Sequence, residues 1–206
     1  MPENGILLRT ARPDDAARLL EIYRPYVEKT AISFECEVPS LEEFRGRIVR
    51  TLKNHPYFTV ERDRELLGYA YTGGFVGRAA YSWAAEVTIY LREDQRRNGL
   101  GRRLYGAIEA VSRARNIFNL NACIGVPEGE EDPHLNKNSM EFHAHMGYRL
   151  VGEFRRCGYK FGTWYNMIWM EKLLGQHPVS PKPVIPFSEL EPELLRNFLD
   201  GAIPRK

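Results

Sequence analysis

The residues able to do chemistry cluster in the middle of the chain. Glu86-Val87-Thr88-Ile89-Tyr90-Leu91 has strand alternation and runs into the basic turn Arg92 to Asn98, which leads through Gly99-Leu100-Gly101 into a helical pattern. The free N–H groups and dipole at a helix start form an anion site. Gly99 and Gly101 let a phosphate approach the backbone closely. Arg96, Arg97, Arg102 and Arg103 add positive charge, so the ligand expected here is a phosphate or pyrophosphate. The turn has no Gly-Lys-Ser/Thr, so it is not a nucleotide-triphosphate loop. Leu104 stands where a dinucleotide fingerprint needs its third glycine, and the motif falls late in the chain. The turn's own spacing is Arg96-x-x-Gly99-x-Gly101.

Other reactive residue types read less sharply. His134, His143 and His145 do not make a metal site: the last two are two apart on a helix, point in different directions, and lack a completing carboxylate. No metal is expected. Cys123 lies in an apolar strand and reads as core; Cys36 and Cys157 have no histidine nearby in sequence.

Elements to position the central stretch follow from periodicity. Ile6 to Arg9 is a short strand. Ala16, Leu19, Leu20, Tyr23 and Val27 make one helical stripe in Pro13 to Val27, which Pro25 is expected to end or kink. Ser40-Leu41-Glu42-Glu43 has capping-box form and opens a second helix to about Lys53. Tyr57 to Arg62 and Leu66 to Tyr71 read as a hairpin through Asp63-Arg64-Glu65. Then come a strand at Trp83 to Leu91, a helix at Gly99 to Arg115, a strand at Asn119 to Val126, an acidic loop from Pro127 to Leu135, a helix at Asn138 to Met146, and strands at Tyr148 to Phe154 and Trp164 to Lys172. The strand–helix–strand order implies a parallel crossover. Pro178, Pro181, Pro183 and Pro186 mark an extended stretch before a small amphipathic helix, Ser188 to Leu199. The division expected is a domain at 1–174 and a Pro-rich extension at 175–206.

Composition sets the outer bounds. The 206 residues carry 29 Lys+Arg against 27 Asp+Glu, a net +2, which argues against a broad nucleic-acid-binding face. Hydrophobic residues at 43% suffice for a core. No apolar run approaches the roughly 18 residues of a membrane span, and Met1 to Gly5 show no basic start or apolar stretch of a signal peptide. Three scattered cysteines suggest no disulfide framework. A cytoplasmic protein without nucleic-acid or membrane partners is expected. Its basic charge gathers in five arginines between Arg92 and Arg103, scaled to one small anion, while acids such as Glu128, Glu130, Glu131 and Asp132 offset it elsewhere.

From about Ile6 to Lys172 the chain resembles the GNAT superfamily of N-acetyltransferases, and within it the phosphinothricin/methionine-sulfoximine acetyltransferase group. The likeness rests on Arg12-Pro13-Asp14-Asp15, Ile22 to Val27, Thr30 to Glu35, Gly68 to Tyr71, Arg78-Ala79-Ala80-Tyr81, Trp83 to Glu86, Asn136-x-x-Ser139, His143 to Tyr148 and Gly158 to Trp164, beside the glycine turn. It implies an α/β (α+β) GNAT fold: a central mixed twisted sheet with a splayed parallel strand pair and flanking helices. Acetyl-CoA would lie between the strands around Thr88 and Ala122. The backbone of Val87, Thr88 and Ile89 would hold pantetheine and thioester, and Arg96, Arg97, Asn98, Gly99, Leu100, Gly101 and Arg102 the phosphates. Asn136 and Ser139 would be a polar pair on the cofactor side; the same residue types also cap helices.

The resemblance makes Glu86 the proposed base, which an acceptor ammonium requires before it can attack; such a strand glutamate also serves as a solvated or ion-paired group. It makes His143 a catalytic assistant with a pKa near neutral, although a helical histidine is commonly a packing group. Phe34 and Glu35 would wall the acceptor site, while Arg78 and Tyr81 would bind the acceptor, Arg78 through its carboxylate. Trp164 and Tyr159 line the pocket or pack in the late hairpin. The activity implied is acetyl transfer to the amine of a small amino acid or analogue by a homodimer. A peptide acetyltransferase and a non-catalytic CoA sensor are the alternatives.

Overall fold

A computed structural model describes residues 5–129 and 132–201. Met1 to Asn4, Glu130, Glu131 and residues 202–206 lie outside the described residues. Seven strands form one sheet in the order β1-β2-β3-β4-β5-β7-β6. They are β1 Ile6–Thr10, β2 Tyr57–Arg62, β3 Glu65–Gly74, β4 Ala84–Leu91, β5 Asn119–Val126, β6 Arg149–Lys160 and β7 Thr163–Leu173. The helices are α1 Ala16–Glu28, α2 Leu41–Asn54, α3 Leu100–Ala114, α4 Asn138–His145 and α5 Pro192–Gly201. Every pairing is antiparallel except β4 with β5, which α3 joins as a crossover.

The apolar stripes divide the core. On one face α1 and α2 bury Leu19, Tyr23, Phe44 and Ile48 against Tyr57 and Tyr69. On the other, Leu100, Leu104, Ile108 and Val111 of α3 pack on Phe58, Ala70, Val87 and Leu120. The β2–β3 turn places Asp63 and Arg64 at φ 50° and 67°, the twist a two-residue hairpin needs. Ser40 caps α2 by accepting from the Glu43 N–H at 3.1 Å.

Pro25 does not end α1. The helix continues to Glu28, and the Pro25 carbonyl accepts from Lys29 N at 2.9 Å. A proline there lacks one N–H and leaves later bonds intact. The late hairpin is longer than the apolar pattern suggests, because most β6 residues are exposed on the sheet edge and carry no alternation.

The Pro-rich tail is strapped to the domain. Trp83 Nε1 donates to Lys182 O, Asn116 Nδ2 to Pro183 O and Arg115 Nε to Ile185 O, each at 2.8 Å. Arg115 is buried and also donates to Asn54 O; burial pulls its pKa down to about 10. Phe187 and Leu199 enter the core, with the Phe187 ring edge-on to Phe58. The extended 175–186 stretch thus delivers an aromatic anchor. Phe187→Ala is expected to destabilise the whole domain by about 3–5 kcal/mol, read as a lower urea midpoint. An unchanged midpoint would mean that the tail packs outside the cooperative unit.

Candidate active site

β4 and β5 pair only at Ala84↔Asn119, Ala85↔Leu120 and Glu86↔Asn121. Beyond Glu86 both strands continue, but apart. β4 stays fully paired with β3 along its other edge, from Gly74↔Ala85 to Gly68↔Leu91. The edge facing the gap belongs to odd-numbered residues. Trp83 O accepts from Phe118 N at 2.8 Å, and Leu91 N and O bond the Tyr26 hydroxyl instead of a strand. By alternation the N–H and C=O groups of Val87 and Ile89 also point into the gap. Thr88 points its main chain into the β3 ladder and offers the cleft only its side chain. Of the three residues expected to hold a thioester by backbone, the geometry therefore retains Val87 and Ile89.

Side chains sort by the same alternation. Glu86, Thr88 and Tyr90 stand on the α1/α2 face with Tyr71 and Tyr69 of β3. There a cleft of about 400 Å³ is lined by Glu86, Thr88, Phe34, Glu35, Cys123 and Met167, among others. Burial alone raises the Glu86 carboxyl above its ordinary range, and among the described residues no basic side chain counters it. A carboxylate left without a cationic partner is a better base than an ion-paired one.

At the far end the glycine turn behaves as its sequence suggests. Arg97 and Gly99 adopt left-handed φ of 65° and 76°, and Gly99 precedes the first turn of α3. The N–H groups of that turn have no carbonyl above them. A second cavity of about 400 Å³ runs past Arg96, Arg97, Gly101, Asn136 and Ser139. Ile32, Ile89 and Ser139 line both cavities, so the two adjoin, one at the arginines and the other at Glu86. Gly101 keeps the arginine end open: a Cβ there would sit 3.0 Å from the Phe142 ring. Arg96 spreads over the Tyr26 ring, 5.4 Å from its centroid. Leu100 contributes only backbone, since its side chain is fully buried; Asn98 and Arg102 are exposed at the turn's outer rim. Asn136 Oδ1 accepts from Asn138 N at 3.1 Å, so it shapes the turn into α4 while lining the groove. A narrow channel ending in backbone N–H groups and arginines suits an extended thiol ester with a pyrophosphate end.

His143 lines the cleft, but not as a near-neutral shuttle. It is buried, its Nδ1 lies 2.7 Å from Ser139 O and its Nε2 2.8 Å from the Tyr105 hydroxyl. The carbonyl fixes the proton on Nδ1, so Nε2 accepts from Tyr105. Burial lowers its pKa to about 4. His55 sits at about 4 as well, through burial and the nearby Arg115. Both rings are expected to stay neutral from pH 8 to 5.5, so their NMR signals should not titrate; a midpoint near 6.5 at either would contradict the burial. Since unfolded histidines charge near 6.5, these two remove stability as pH falls from about 6.5 towards 4, by roughly 1.4 kcal/mol per pH unit each.

Two expectations shift. Cys123 is not core: it lines the cleft as an exposed thiol, because β5 turns that face to the gap, and local burial raises its pKa to about 11. Arg78 and Tyr81 are not brought to Glu86. Arg78 is exposed, and Tyr81 packs edge-on to Phe75 beside a separate cavity. Tyr159 and Trp164 pack on one another and remain exposed. The sequence reading missed Tyr105 and the tyrosines Tyr23, Tyr71 and Tyr90 of the cleft wall; the shared face of Tyr71 on β3 and Tyr90 on β4 was legible in the alternation, while Tyr23 comes from α1 and Tyr105 from α3.

Comparison with known proteins agrees with this geometry. The Acetyltransferase (GNAT) domain family matches residues 8–169. Curated relatives include a phosphinothricin N-acetyltransferase of Streptomyces viridochromogenes, 29% identical over 184 residues, covering 89% of this chain and 95% of the relative. Another from Alcaligenes faecalis is 32% identical over 168 residues, covering 81% and 82%. A crystal structure of a phosphinothricin acetyltransferase from Sinorhizobium meliloti in complex with AcCoA superposes with a TM-score of 0.78 at 28% identity, covering 90% of this chain and 98% of that one. With a parallel pair that splays at Glu86 and a glycine–arginine turn at the end of the gap, the chain belongs to the GNAT acetyltransferase family and uses acetyl-CoA as cosubstrate.

Proposed function

We propose that the enzyme acetylates the amine of a small amino acid or amino-acid analogue, of the phosphinothricin or methionine sulfoximine kind. The observation that carries this is the position of Glu86: a half-buried, unpaired carboxylate where the strands part, in a cleft of about 400 Å³. Acetyl-CoA supplies an activated acyl carbon. Val87 and Ile89 turn their main-chain groups to the gap, where an N–H can donate to the acyl oxygen as it gains charge. Arg96, Arg97 and the first turn of α3 hold the phosphate end, with Asn136 and Ser139 along the channel. Glu86 takes a proton from the acceptor ammonium, directly or through water, and leaves a neutral amine in the cleft; the amine nitrogen then bonds to the acyl carbon, the C–S bond breaks, and coenzyme A leaves as its thiol, carrying the proton the nitrogen gives up. Phe34 and Glu35 bound the acceptor. Tyr105, its hydroxyl bonded to His143 Nε2, lines the cleft, and His143 acts by orienting it. Relatives that are phosphinothricin N-acetyltransferases support the substrate class.

The test is thiol release from acetyl-CoA across phosphinothricin, methionine sulfoximine, ordinary amino acids, polyamines and short peptides. Amino-acid analogues should be acetylated first; exclusive use of peptides, or binding of acetyl-CoA without any acetylation, would overturn the reading.

The protein is further proposed to be a cytoplasmic homodimer. The free thiols Cys36, Cys123 and Cys157 suit a reducing compartment, and no helix among the described residues is long and apolar enough to cross a membrane. The β6 edge exposes Leu150, Val151, Phe154 and Tyr159, each more than half accessible, an apolar surface a second copy would cover. Such a copy would also complete the surroundings of Arg78 and Tyr81, which one chain leaves outside the cleft. Light scattering should give twice 23.8 kDa; a monomer overturns this.

A further inference from the structure

The acceptor cleft has one wall that no strand carries: the loop between α1 and α2. Its shape is imposed from behind by the far end of β6. Lys160 is buried, with 6% of its surface exposed, and its ammonium donates to Thr30 O at 2.9 Å and Ser33 O at 2.7 Å. These partners lie 130 and 127 residues away in sequence. Burial lowers the pKa of this amine, and nearby Cys36 and Glu35 only partly offset the effect. Main-chain carbonyls, not a carboxylate, are its hydrogen-bond acceptors. Nothing in the transfer reaction described above uses this group.

What the two carbonyls hold in place is Phe34. Its ring sits in a slot with two glycines for a floor. A Cβ on Gly158 would lie 2.8 Å from Phe34 Cζ, and one on Gly125 would lie 3.0 Å from Ala31 O and 3.3 Å from Phe34 Cε1. The loop is gripped again beside Lys160. Ala31 N donates to His134 O at 2.9 Å, and the His134 ring stacks on Phe161 with centroids 4.1 Å apart. At the cleft side Ser33 Oγ meets the Tyr23 hydroxyl at 2.6 Å. Loop, hairpin tip and glycine slot thus form one packed unit around a single buried cation.

We infer that Lys160 is a positioning residue for the acceptor: by holding the Thr30 and Ser33 carbonyls it seats Phe34 in the Gly125–Gly158 slot and fixes the cleft wall against which the acceptor amine is presented. The inference rests on the acceptor occupying the cleft beside Glu86, and not on which amine it is. Acetyl-CoA is placed along β4, α3 and α4, and of the held loop only Ile32 borders that channel, so the latch should act chiefly on the acceptor.

Lys160→Met keeps the aliphatic stem and removes the donor. In the full-length protein it is expected to raise the acceptor KM about tenfold or more, the scale set by losing charge-assisted hydrogen bonds. Acetyl-CoA affinity by calorimetry should change less than about twofold. Amide exchange at Ala31, Ile32 and Glu35 should accelerate at least about tenfold. Gly158→Ala is the independent variant: it keeps Lys160 but crowds Phe34 out of its slot, and should give the same split of KM without loss of acetyl-CoA affinity. The acceptor used is whichever amine of the panel the wild type acetylates best, so failure of the amino-acid reading appears as a different amine and leaves this test intact. Unchanged exchange in the loop of a folded Lys160→Met protein would overturn the latch. Accelerated exchange with an unchanged acceptor KM would overturn its role in positioning. If Lys160→Met does not fold, an unchanged acceptor KM in Gly158→Ala overturns it.

Discussion

Glu86→Gln is expected to lower kcat by about 10²- to 10⁴-fold, the usual contribution of a positioned base, while acetyl-CoA affinity stays within about twofold. The two effects separate because Glu86 points to the α1/α2 face, whereas the proposed cosubstrate groups are the odd-numbered backbone of β4 and the turn before α3. Glutamine preserves size and strand pairing, so the Gly73↔Glu86 register should survive. The pH profile gives a second readout. Burial raises the Glu86 carboxyl, so its fraction in the basic form, and with it the wild-type rate, climbs as pH rises through that elevated pKa. The variant should lose this limb and keep only the rise due to the acceptor amine. Steady-state kinetics from pH 5 to 9 check both. An unchanged kcat would exclude Glu86 as the base.

Gly101→Val acts at the other end. The Cβ would already stand 3.0 Å from the Phe142 ring and 3.5 Å from Ile89 Cδ1; two further methyl groups fill the channel between the arginine turn and the cleft. Acetyl-CoA should bind on the order of 100-fold more weakly, about 2.7 kcal/mol. Because Gly101 sits in the first turn of α3 and needs no left-handed φ, folding should survive. Calorimetry with acetyl-CoA and urea unfolding separate the two outcomes. Wild-type affinity in a folded variant would move the cosubstrate out of this channel.

Much of this was legible in the sequence because it is local. The β2–β3 hairpin, the β4–turn–α3 unit, β5 and α4 follow from alternation, helical stripes and glycine placement. The anion site follows as well, since helix start, turn glycines and arginines lie within a dozen residues. Pro25 misleads because a proline's effect depends on which carbonyl it leaves unpaired. Cys123 misleads because an apolar strand reads as buried, whereas a splayed pair opens one face of that strand. His143 misleads because its pKa is set by what encloses it.

Local pattern in the sequence determined the mixed α/β order of elements and the glycine–arginine turn, because each rests on residues near one another along the chain, while Glu86 was singled out by the family resemblance. Only the tertiary structure decided where β4 and β5 part, which backbone groups face the gap, and that Lys160 reaches back to the loop carrying Phe34. Those facts depend on groups distant in sequence, 130 and 127 residues apart at Lys160, brought together through burial and hydrogen bonding that no local pattern encodes.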